Sequence, residues 1–70
     1  MKIYYYKELK YKSIDNLLDL LSTYIDLKKD ICNLIKKDKE NEDFYIENNL
    51  YFYELNIIKI KNQLKTKTKV

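Results

Sequence analysis

Between Ser13 and Lys37 the apolar residues recur every three or four positions. This run constrains the fold more than any other feature of the chain. Plotted at a helical period, Ile14, Leu17, Leu18, Leu20, Leu21, Tyr24, Ile25, Leu27, Ile31, Cys32, Leu34 and Ile35 fall in an arc roughly 200° wide. Lys28 is the single intruder near its middle. Ser13 stands where an N-cap belongs, with Asp15 in the first turn and Lys36 and Lys37 in the last. The spacing predicts one long amphipathic helix. A surface helix covering a single neighbour needs a stripe only a little over ~100° wide. An arc about twice that width implies burial on two sides, one against the protein's own body and one against a second copy or a partner.

The flanking segments follow a different pattern. Residues 2–12 alternate, with Ile3, Tyr5, Leu9 and Tyr11 on one side and Tyr4, Tyr6, Glu8, Lys10 and Lys12 on the other. Aromatic and β-branched residues in alternation predict a strand. Phe44 to Glu47 predict a short strand, and Asn48-Asn49 a hairpin turn, since Asn tolerates positive φ best where Gly is absent. Residues 50–61 predict a longer strand, with Tyr51, Tyr53, Leu55 and Ile57 on one face and a bulge near Ile57–Ile58. The helical spacing of Ile57, Ile60 and Leu64 makes a helix over 54–65 the competing reading. The expected fold is therefore α+β, in the order β-α-β-β. A three-stranded, mostly antiparallel sheet would pack against one long helix, with residues 1–64 as a single domain and 65–70 as a flexible Lys/Thr tail.

The chain has eight tyrosines and two phenylalanines in 70 residues. On a sheet, consecutive aromatics must occupy both faces. Tyr5, Tyr11, Tyr51 and Tyr53 are then assigned to the core. Tyr4, Tyr6, Tyr45 and Phe52 remain on the outer face as candidate partner-binding residues. Glu8, Glu47 and Glu54 share that face and would repel phosphate, which favours a protein partner over nucleic acid. Codon bias is an alternative source of the tyrosines. The chain lacks Gly, Pro, Ala, Arg, His and Trp and is rich in Lys, Ile, Asn and Tyr, as an AT-rich coding sequence would make it.

The same absences exclude chemistry. Without Gly there is no phosphate-binding glycine loop. Without His there is no Ser-His or Cys-His nucleophile pair, and without Arg no bidentate phosphate fork. The lone Cys32 permits no internal disulfide and reads as a small core residue. Glu40, Glu42 and Asp43 lack the spacing of a cation loop. No catalytic constellation, cofactor or metal site is expected. No apolar run reaches the ~20 residues of a membrane span. The opening residues lack the form of a secretory leader, so a cytoplasmic protein is expected, with no membrane partner.

Charge is segmented. Residues 1–12 carry +3, 13–37 are neutral, 38–54 carry −5 and 55–70 carry +5. Asp15, Asp19, Asp26 and Asp30 share the helix face away from the core, either as a solvated face or as a surface complementary to a basic partner. A chain this short buries only about 60% of its unfolded surface, so oligomerisation is the remaining route to stability. These features point to a small non-enzymatic interaction protein, homodimeric, that blocks a surface of a larger protein partner. Size and codon bias fit a phage or mobile-element inhibitor of a host defence system, in the manner of an anti-CRISPR protein. The alternative is a nucleic-acid-binding regulator, a repressor or plasmid-control factor. It would use Lys2, Lys10, Lys59, Lys61, Lys65, Lys67 and Lys69.

Overall fold

The computed structural model describes residues 6–68, with side-chain surroundings from residue 8 onward. It is a three-helix, all-α arrangement with no strand among the described residues. A short helix α1 (Tyr6–Lys10) precedes the long helix α2 (Ile14–Lys37). A 3₁₀ turn (Lys39–Asn41) leads into α3 (Glu42–Tyr45). A π-helical stretch (Ile46–Leu50) joins α3 to α4 (Tyr51–Thr68). Backbone angles stay helical through Ile46 and Tyr51, so residues 42–68 form one rod with a widened turn in it.

The three-stranded sheet is thus overturned. The alternating segments at 6–10 and 44–61 are helical. Asn48 and Asn49 lie in the π-helical stretch rather than in a hairpin turn, and no described residue has positive φ. No bulge interrupts Ile57–Ile58, and the competing helix over 54–65 is the one that forms. Residues 2–5 of the expected first strand lie outside the described residues. The physical reason is that α4 hides its period. Its buried positions Tyr53, Asn56, Ile57, Ile60 and Gln63 follow helical spacing, but two of them are polar. Tyr51, Tyr53, Leu55 and Ile57 alternate by composition alone. Strand propensity is a weak preference for a half-buried pleated surface, and packing on α2 overrides it.

α2 forms where the periodicity places it. The Ser13 side chain accepts the Asn16 N–H at 3.1 Å, and its backbone carbonyl accepts the Leu17 N–H at 3.0 Å. The helix ends without glycine. Asp38, at φ −129° and ψ 71°, donates its N–H to the Leu34 carbonyl at 2.9 Å. Its carboxylate then organises the connection, accepting Asn41 Nδ2 at 2.9 Å and the Tyr45 hydroxyl at 3.1 Å. α4 returns antiparallel along α2. Leu9, Leu17 and Ile60 form the fully enclosed core, with Leu20, Leu21, Tyr24 and Leu64 around it. Tyr24 and Tyr53 pack as tilted rings 6.1 Å apart in the middle of the hairpin.

The core assignments for tyrosine divide. Tyr53 is buried, as expected, whereas Tyr11 is 82% and Tyr51 57% exposed. Tyr5 lies outside the described residues. On a helix, Tyr51 and Tyr53 are about 200° apart and cannot share a face, although on a strand they would. Asn56 and Gln63 are buried, and among the described residues no buried side-chain nitrogen or oxygen lacks a hydrogen-bond partner.

Candidate functional site: a lysine-rimmed face of the hairpin

The two sides of α4 meet different surroundings. Lys59, Gln63 and Thr66, at spacings of four and three, line a shallow hollow against Leu9 of α1. Ile57, Lys61, Leu64 and Thr68, at spacings of four, three and four, lie on the opposite side, away from Leu9. There α4 and α2 enclose a long groove. Ile25 and Cys32 of α2 and Ile57 of α4 form its floor; Lys28, Lys29 and Lys36 of α2 and Lys61 of α4 form its rim. Lys61 also belongs to a second depression along α4, lined by Ile58, Leu64, Lys65 and Thr68. The two depressions therefore make one continuous face.

The floor is apolar because the wide arc of α2 is only partly covered. Leu17 and Ile31 point at α4 and are buried, while Ile14 and Leu18, at the arc's edge, remain 40% and 49% exposed. Across the face, Ile58 of α4 is 55% exposed. Cys32, expected in the core, is half-buried in this groove. Lys28, the intruder in the apolar arc, reaches out to Glu54 of α4 at 3.5 Å. Lys29, Lys36 and Lys61 make no ion pair among the described residues. The groove thus carries uncompensated positive charge over apolar carbon.

The sequence-derived candidates do not converge on one surface. Tyr4, Lys2 and Lys69 lie outside the described residues. Tyr6 is in α1, beside the C-terminal half of α4, whereas Tyr45 is in α3, at the turn. Tyr45 and Phe52 are both half-buried, each packed edge-on against a neighbour, Phe44 and Tyr51 respectively. Hydrogen bonding to Asp38, then loss of solvent and the nearby negative charge, raise the Tyr45 hydroxyl above its ordinary pKa of 10.0. Asp15, Asp19, Asp26 and Asp30 are all exposed and fall within about 60° of one another on the outer face of α2. The lysines proposed for nucleic acid are dispersed. Lys59 faces the α1 side, Lys61 and Lys65 face the opposite side, and Lys67 is half-buried. Lys10 lies 5.9 Å from the ring of its neighbour Tyr11.

The groove residues Ile25, Lys29, Cys32, Lys36 and Ile57 were not singled out from sequence as a site. Their signal was the excess width of the α2 arc, which implied a second burial surface but not its edges. Among the described residues no three His, Cys, Asp or Glu side chains converge to hold a metal ion. No helix among them is long and apolar enough to cross a membrane. No protein-family model, curated protein or solved structure matches the chain.

Proposed function

We propose that the chain is a small non-enzymatic interaction protein that acts by occupying a surface of a larger protein partner. The observation that carries this reading is the continuous, only partly covered face of the hairpin, where Ile14 and Leu18 of α2 and Ile58 of α4 stay exposed and Ile25, Cys32 and Leu64 are half-buried around the buried Ile57. Apolar area left open in so small a core is stabilising only when something covers it. The dispersal of Lys59, Lys61 and Lys67 around α4 favours a protein over nucleic acid, since a phosphate backbone is best followed by a single basic stripe.

The test is capture of a protein partner from host extract, nuclease-treated, by the wild-type chain and by the double variant Leu18→Asp, Ile58→Asp. Both residues are about half exposed, so the variant should keep its helical circular dichroism. Loss of a specific partner from the double variant supports the reading. Equal capture by both proteins, or material that disappears with nuclease, counts against it.

A further inference from the structure

We infer that the groove between α2 and α4 takes an acidic amphipathic helix of the partner, docked as an additional rod with its apolar stripe on Ile25, Cys32 and Ile57 and its carboxylates at Lys29, Lys36 and Lys61. The inference rests on the protein-interaction reading and names the chemistry of the partner.

Three observations favour this occupant over others. The site is a concave channel between two antiparallel helices, the shape into which the ridge of a third helix packs. The floor is apolar, which suits a helix stripe and wastes a phosphate backbone. The rim holds three lysines with no ion-pair partner among the described residues, so it attracts a helix with acidic flanks and repels one with basic flanks. The last point also argues against a second copy. A two-fold contact sets each patch against itself and would bring the same lysines of two chains together. The protein's own acidic stripe, Asp15 to Asp30, runs along the outer face of α2, outside the groove, so a two-fold pairing of the grooves does not set it against the lysines. An anionic membrane prefers a protruding apolar face to a recessed one.

The probe is a synthetic peptide of about 18 residues, long enough to span about 27 Å as a helix. Leucines form one stripe and glutamates flank it; a control peptide carries lysines in the flanks. Binding is followed by amide chemical shifts of the isotopically labelled full chain. The expected result is perturbation centred on Ile25, Cys32, Ile57 and Lys61 by the acidic peptide alone. The triple variant Lys29→Glu, Lys36→Glu, Lys61→Glu should bind it at least about tenfold more weakly and should accept the lysine-flanked peptide instead. These residues are exposed on the rim, and circular dichroism of the variant checks that its helices persist. The inference is overturned if the acidic peptide gives no perturbation or moves only residues near the turn. Self-association through the same face in sedimentation overturns it, as do stronger shifts from duplex DNA or from phosphatidylserine vesicles. The two readings separate in the capture experiment. If Leu18→Asp, Ile58→Asp loses the partner and the lysine reversal keeps it, the face binds a protein but the acidic-helix inference fails.

Discussion

At the scale of single residues, Asp38 carries an unusual share of the architecture. A helix end commonly relies on a glycine in the left-handed conformation. This chain has no Gly, and no described residue has positive φ. Asp38 takes over by three contacts: its N–H satisfies the Leu34 carbonyl, and its carboxylate holds Asn41 and Tyr45. The same contact to Tyr45 stabilises the protonated phenol, so Tyr45 should titrate above 10.0. The sign follows directly. A folded-state pKa above the unfolded one gives a contribution fully present below pH 10.0 and lost as the pH rises through the folded value. Asp38→Asn keeps an acceptor oxygen but removes the charge, so the Tyr45 midpoint should fall back towards the ordinary value. Ring-carbon NMR titration of Tyr45 in both proteins reads this. A midpoint at or below 10.0 in the wild type would show that the hydroxyl does not donate to Asp38 in solution.

At the scale of elements, α2 and α4 are helices for different reasons. α2 is specified locally, by an N-cap, charges matched to both ends and an apolar period broken only at Lys28. Ser13→Ala should therefore cost about 1 kcal/mol, read as a lowered urea midpoint with an unchanged slope. No change at all would mean that the Asn16 N–H finds an equivalent acceptor. This helix was legible in the sequence, from its cap at Ser13 to its end at Lys37. α4 was legible only as the competing helix over 54–65, because Asn56 and Gln63 point inward while Leu55 and Ile58 do not join the buried set. Hydrophobicity along it therefore shows little helical period, and Tyr51, Tyr53, Leu55 and Ile57 alternate as strand residues would. Its helix comes from α2 lying alongside, a tertiary effect that local pattern cannot express. The site was legible by half for the same reason. The wide arc of α2 announced a second surface, but the α4 wall, Ile57, Lys61 and Leu64, could be placed only once α4 was a helix. Read along a strand, Leu64 falls on the opposite face from Ile57 and Lys61; on a helix all three share one.

At the scale of the whole molecule, length governs what the face can do. A 24-residue helix is about 36 Å long, and two such rods with one short helix against them cannot close into a sphere. The extents are 46 × 17 × 15 Å, and the Cα radius of gyration is 13.6 Å. A compact domain of this size would have about 11 Å. The elongation explains why, among the described residues, the apolar side chains enclosed almost completely come down to Leu9, Leu17 and Ile60. α1 reaches one end of one side, and the rest of the hairpin is two helices thick. Solution scattering should accordingly show a thin rod, with a radius of gyration well above that ~11 Å and a maximum dimension near 46 Å. A value near the compact figure would mean that the hairpin folds over and buries the groove itself. A rod of unchanged length but about twice the cross-section would mean that two copies have met side by side. Adding the acidic peptide distinguishes a vacant groove from either case. It should thicken the rod by about one helix diameter, roughly 10 Å, and leave its length nearly unchanged, because the groove runs along the long axis.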